Sequence, residues 1–187
     1  MDLALTTPGA LPISVAEAKA YLKIDDATDD ALLGVMLEAV TLAGEGYTGR
    51  DFRANTWTQL VDDFEDVIVL PKSPVASVTS VSHWSSGAWV AVDSTVYGLT
   101  KMAFESAIYL AEEKEWPDRS VLASDLIPHG IRIVFVTAAT PHLARAKLGM
   151  YEHLAFAYAN RGDCAVEDQL HQSGAAAMYA GFRVPRY

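Results

Sequence analysis

Between Asn55 and Val136 apolar and polar residues alternate in short runs broken by turn formers, whereas on either side of that block the apolar positions step by three and four. One kind of secondary structure cannot serve both periods, because side chains repeat every 3.6 residues on a helix and every two on a strand. The chain is therefore expected to be α+β: a helical core from residues 14–50 and 141–180, a β-rich insertion over 55–137, and an extended C-terminal peptide over 181–187. On this reading residues 1–180 form one domain and 181–187 a tail.

Local signals place the helices. Ser14 followed by Glu17 is a capping box directly after the extended Leu11-Pro12-Ile13, which predicts a first helix over 15–24 with Val15, Ala18, Tyr21 and Leu22 on its apolar face. The carboxylates between Asp25 and Asp30 suit the positive end of a second helix, expected from about residue 29 to 47 and closed by Thr48-Gly49. After Thr140-Pro141 the apolar positions Leu143, Ala146, Met150, Leu154 and Ala157 predict a third helix, the longest of the chain. Gly162 and Gly174 break the remaining stretch into fragments over 163–172 and 175–179.

Strands are expected at 57–61 and 67–70, joined by the acidic turn Asp62-Asp63-Phe64-Glu65-Asp66 as a hairpin. A second hairpin follows, with Trp84 and Trp89 near its tip. Short strands at 97–99, 108–110 and 131–136 complete the block, the last with the branched, alternating pattern of a half-buried strand.

Composition narrows the function. With 14 Lys and Arg against 24 Asp and Glu, the net charge of −10 argues against a protein that grips nucleic acid or anionic lipid over its whole surface. The imbalance is uneven, since residues 1–70 hold 13 acids and 4 bases and residues 141–187 hold 4 acids and 5 bases. The single cysteine, Cys164, excludes an internal disulfide and any multi-thiolate zinc site. No apolar run approaches the roughly 18 residues of a membrane span, and the start has no basic, signal-like region. At 51% apolar and 20% charged residues, the chain is richer in hydrophobic groups than a typical soluble monomer, which predicts buried subunit contacts.

Little in the sequence suggests catalysis. Asp25, Asp26, Asp29 and Asp30 could hold a hard cation, yet Ala27 and Asp30 occupy the third and sixth positions of the calcium loop they would form, so helix-start electrostatics is the better reading. His83, His129, His142, His153 and His171 show no ligand spacing, and the glycines around Gly44, Gly46 and Gly49 lack the Lys-Ser/Thr ending of a phosphate loop. No metal, no cofactor and no catalytic group is expected. The alternative is a small cytosolic hydrolase or isomerase using Cys164, Asp168 and His171, which span two helical turns.

The C-terminus is unusual. Phe182, Val184 and Tyr187 alternate with Arg183 and Arg186 around Pro185, as in an extended peptide with apolar anchors on one side and bases on the other. Either this is a frayed terminus or it is a docking peptide.

In this order the parts resemble a family. The opening Leu11-Pro12-Ile13-Ser14 into Glu17-Ala18-Lys19-Ala20-Tyr21-Leu22, the acidic run and Tyr47-Thr48-Gly49-Arg50 are similar to the head-to-tail connector, or adaptor, proteins of long-tailed bacteriophages and of phage-derived gene transfer particles. Thr56-Trp57-Thr58-Gln59-Leu60, the run from Val69 through Pro74 to Val78, and the aromatic-Arg-x-x-Arg ending resemble one branch of that family. Residues 103–128 and 162–174 depart from it.

The resemblance implies a non-enzymatic virion protein that forms a homo-oligomeric ring, about twelve subunits by family habit, between the capsid portal and the stopper or tail. It implies assembly in the bacterial cytoplasm, a place in the neck of the particle, DNA only as passing cargo, and no membrane. The tail residues Phe182, Arg183, Val184, Arg186 and Tyr187 would bind the portal. Asp62, Asp63, Glu65 and Asp66 would face the DNA channel, because four acids on a hairpin end are costly to bury.

Overall fold

The computed structural model describes residues 2–85, 87–101, 105–117, 130–161 and 166–184. In chain order its elements are β1 (Asp2–Thr7), α1 (Val15–Leu22), α2 (Asp30–Thr48), β2 (Thr56–Val61), β3 (Val67–Leu70), β4 (Val75–Ser85), β5 (Ala88–Ala91), β6 (Tyr97–Lys101), β7 (Ser106–Leu110), β8 (Ile131–Thr137), α3 (Leu143–Ala159), α4 (Val166–Gln172) and α5 (Ala175–Ala180). The protein is thus a mixture of helices and antiparallel sheets. It divides into a β unit, Met1–Gly9 with Ala54–Ala138, and a helical unit, Ala10–Arg53 with Ala139–Tyr187.

In the β unit a five-stranded sheet runs β1-β2-β8-β4-β5 and a three-stranded sheet runs β3-β7-β6, every pair antiparallel. Strand β8 lies at the centre of the larger sheet and alternates strictly: Ile131, Ile133, Phe135 and Thr137 are buried and the residues between them half-buried. With Val75 and Val81, the side chains of Ile131, Ile133 and Phe135 pack against Ile68, Leu70 and Ile108 of the smaller sheet in one apolar cluster. Gln59, itself buried, adds a polar tie by donating from Nε2 to the Val69 carbonyl at 3.1 Å.

Two expectations for this unit are corrected. Strands β2 and β3 are not a hairpin: β2 pairs with β1 and β8, and β3 with β7. The acidic segment between them crosses from one sheet to the other, held by Phe64, which stacks on Trp116 at 4.6 Å, and by the Asp66 carbonyl, which accepts from the Leu110 amide. Strand β1 was not foreseen at all, because its partner β2 lies some fifty residues away and its own six residues alternate too weakly to announce it. The Trp hairpin is present, with Trp84 opposite Trp89 and their rings edge-to-face at 5.3 Å.

One buried side chain organises the places where the chain enters and leaves this unit. Asn55, with no exposed surface, accepts the Gly9 amide on Oδ1 at 2.9 Å. Its own amide donates to Thr137 Oγ1 at 3.1 Å, and the Thr137 amide donates to its carbonyl at 2.9 Å.

The helical unit opens with the capping box: the Glu17 amide donates to Ser14 Oγ and the Ser14 amide donates to Glu17 Oε2 at 2.8 Å, holding the Glu17 carboxyl below its ordinary pKa. Helix α1 ends at Leu22, two residues short of the expected end, with Lys23 taking a left-handed φ of 58° as its cap. Helix α2 ends at Gly49 with φ 70°, a conformation that suits glycine. At 19 residues against 17, α2 rather than α3 is the longest helix. Helix α3 starts two residues after Pro141, with Thr140 Oγ1 accepting the His142 amide.

The core of the unit gathers Ile13, Leu37, Val40, Phe52, Met150, Leu154, Tyr179 and Phe182. Tyr179 lies against Gly149, where a Cβ would stand 2.5 Å from the ring, and Phe52 occupies the equivalent space at Gly44. Both glycines are therefore read as close-approach positions inside helices, accepted despite their cost to helix propensity.

Replacing Asn55 with Ala should lower stability by about 2 kcal/mol, read as a reduced urea midpoint, since the Gly9 amide is left without its acceptor. Tyr179→Phe should do the reverse. Its hydroxyl is buried with no partner among the described residues, so its removal should raise the midpoint by about 1 kcal/mol.

Candidate functional site

Among the described residues no group of three or more His, Cys, Asp or Glu is placed to hold a metal. The acidic run is occupied with local bonds: Asp26 accepts the Thr28 amide, Asp30 pairs with Lys19 at 2.7 Å, and Asp29 takes the Tyr158 hydroxyl and Arg161. Of the residues weighed for nucleophilic catalysis, Cys164 and the side chain of Asp168 lie outside the described residues, and the His171 ring stands edge-on to Tyr47 at 5.9 Å.

The C-terminal segment is tied to its own helical unit as far as it is described. Phe182 is 3% exposed, with its ring 6.2 Å from Phe52, 6.1 Å from Tyr179 and stacked on His142 at 5.2 Å. Arg50 Nε donates to the Phe182 carbonyl at 2.8 Å, and the Val184 amide donates to the Thr48 carbonyl at 2.7 Å. The Arg183 guanidinium lies 4.7 Å over the Tyr47 ring.

The expectation of a free peptide from residue 181 is thereby corrected at Phe182 and Val184. An apolar ring beside a helical cluster that contains Phe52 and Tyr179 is stabilised more by burial than by waiting in water for a partner. Arg183 is exposed, while Arg186 and Tyr187 lie outside the described residues.

The acidic segment is on the surface of the β unit: Asp62, Glu65 and Asp66 are exposed and Asp63 half-buried. Gln59, Asp62, Asp63 and Glu65 line a hollow of about 290 Å³ together with the edge of β3. Trp116 Nε1 donates to the Glu65 carbonyl and Asp63 Oδ1 accepts the Phe64 amide along this segment.

A further feature went unread in the sequence. Helix α2 has two apolar stripes. Leu33, Leu37 and Val40 enter the core, while Leu32, Val35, Met36, Ala39 and Leu42 run along another side, with Val35 70% exposed. The signal was there, since α2 has no Lys or Arg in 19 residues, but apolar residues on more than one side of a helix do not reveal which side its own chain covers. Leu32, Met36, Ala39 and Val40 line a groove of about 320 Å³ with His153 and Ala157 of α3.

His153 in that groove is 1% exposed, its Nδ1 has no partner among the described residues, and burial holds its pKa below the ordinary 6.5. The folded state therefore keeps the ring neutral. Above pH 6.5 its contribution to stability is level, and as pH falls below 6.5 the unfolded chain gains a proton that the buried ring refuses, so that contribution is lost. Urea midpoints measured from about pH 7.5 down to 5 should fall more steeply for the wild type than for His153→Phe.

The sequence matches no protein-family model and no curated protein. Solved structures do match. The fold is similar to chains from the neck of a native gene transfer agent (GTA) particle computed with C12 symmetry, at a TM-score of 0.75 and 24% identity. It is similar too to chains from the neck of an empty GTA particle computed with C6 symmetry and from the virion of a native GTA particle, each at 0.73 and 22%. In all three the match covers 100% of this chain and 97% of the other, so the two units in their order along the chain share the fold of those particle chains from end to end.

Proposed function

We propose that this chain is a structural subunit of the neck of a phage or phage-like particle, a head-to-tail connector that closes into a ring between portal and stopper or tail. The observation that carries the reading is the fold shared over the full length with chains of GTA necks solved in C12 and C6 symmetry. The order of sequence signals supports it independently, and so does a 51% apolar composition that leaves a stripe of α2 uncovered. In this role the protein performs no catalysis.

The ring encloses a conduit in which DNA is cargo. A net charge of −10 favours passage over adhesion, because a surface that offers phosphates few cations releases few counterions and binds weakly. Asp62, Asp63, Glu65 and Asp66 are assigned to the channel wall, where the exposed Asp62, Glu65 and Asp66 keep like charge toward the duplex.

The tail is assigned to the portal, with one change from the sequence reading. Phe182 and Val184 root the peptide on the helical unit, and Arg183, Arg186 and Tyr187 are the residues that reach the partner. The corresponding test must spare the root. A chain ending at Val184 should unfold at the wild-type urea midpoint yet give at least a tenfold drop in DNA-filled heads that acquire tails, counted by electron microscopy. Normal tail joining by this truncation would remove the tail from the interface. Cys164→Ser should leave the yield of complete particles unchanged, whereas an enzyme dependent on that thiol would be lost.

A further inference from the structure

Three arginines from three parts of the helical unit converge where the C-terminal segment leaves α5. The Arg145 guanidinium, from the first turn of α3, lies across Gly181, where a Cβ would stand 2.5 Å from Nη1, and it reaches the Ala177 carbonyl only at 3.5 Å. Arg50, 4% exposed, donates to the Phe182 carbonyl, and Arg183 lies over the Tyr47 ring. Arg145 and Arg183 are exposed, and among the described residues neither has a carboxylate partner.

The carboxylates of this acidic chain stand elsewhere. Residues 138–151 and 173–187 contain no Asp or Glu. Glu45 and Asp51, at the end of α2 and just beyond it, are 5% and 0% exposed, and Glu45 is engaged by the Phe52 amide and Arg53. Glu152 stands two turns further along α3 and accepts the Tyr21 hydroxyl, and the described side chains of α4, residues 169–172, include no acid. Lys147 is paired with Glu17 and takes no part. The fold gains little from this arrangement. The first turn of a helix favours carboxylates, yet α3 has none there and places Arg145 in it.

We propose that Arg145 and Arg183 together form a carboxylate-binding site beside the rooted tail, and that its occupant is an acidic surface of the portal. This rests on the reading of the tail as the portal contact and names the chemistry of what it meets. A guanidinium takes a carboxylate through two parallel hydrogen bonds, and Arg183 is already oriented by the ring beneath it. Protein suits the site better than DNA. Two unpaired guanidiniums on a chain of net charge −10 are too few to grip a row of phosphates, whereas arginine beside Phe182 and Tyr47 is the composition found at the centre of protein contacts.

The test adds the full chain to DNA-filled heads that lack it and counts occupied heads by electron microscopy at about 0.01 and 0.15 M salt. Arg145→Gln and Arg183→Gln should each raise the concentration for half occupancy roughly tenfold, with the urea midpoint unchanged. The double variant should lose most of the wild type's dependence on salt, and Arg145→Lys, which keeps the charge without the planar fork, should fall between Arg145→Gln and the wild type. Wild-type occupancy by the double variant, with the chain ending at Val184 still failing to join, would overturn this site and leave the tail reading standing. Duplex DNA that binds the wild-type chain in solution but not the double variant would overturn it in favour of phosphate. Heads that the wild type never occupies would overturn the site and the portal reading together.

Discussion

Asn55 is where the constraints on this chain meet. The polypeptide passes between its β unit and its helical unit at residues 9–10, 53–54 and 138–139, and on the β side all three passages are secured through one buried amide side chain and its backbone. A peptide group buried at such a point must find a partner or forfeit its hydration. The Gly9 amide finds Asn55 Oδ1, and Thr137 exchanges bonds with the Asn55 backbone. Gly9 approaches so closely that a Cβ there would stand 2.4 Å from the Ala54 carbonyl oxygen. The helical side has its own counterpart just before the passage: Arg53 grips Glu38 with two bonds of 2.9 and 2.6 Å, Glu45 accepts the Phe52 amide, and the Asp51 carbonyl accepts the Thr140 amide.

With those passages secured, each unit solves its packing separately. In the β unit the strictly alternating β8 is both the central strand and the floor on which the smaller sheet rests. In the helical unit two glycines let aromatic rings sit against helix backbone, so that Phe52, Tyr179 and Phe182 form one aromatic cluster. That cluster ties the C-terminal segment to the core. Arg50 on the Phe182 carbonyl and the Val184 amide bonded to the Thr48 carbonyl at the end of α2 add to that tie.

Both units leave side chains on the surface that their own packing does not use. The chain leaves apolar side chains exposed on α2 and α3 and carries exposed acids on the segment between β2 and β3 of the β unit. Large apolar patches left open on a soluble chain are ordinarily covered by another chain.

Several of these features were legible in the sequence because their causes are local. Ser14 and Glu17 announced α1, Gly49 the end of α2, and the alternation from Ile131 to Val136 the strand β8, each from residues within a few positions of one another. The pairing of β1 with β2, the parting of β2 from β3 into separate sheets, and the burial of Phe182 were not legible, since each depends on partners about forty to more than a hundred residues away. The same division holds for the surfaces. That α2 carries apolar residues on more than one side belongs to the sequence by itself; which of them meet the core was decided only by the tertiary packing around Leu37 and Val40, because burial is a property of what packs against a side chain and not of the side chain alone.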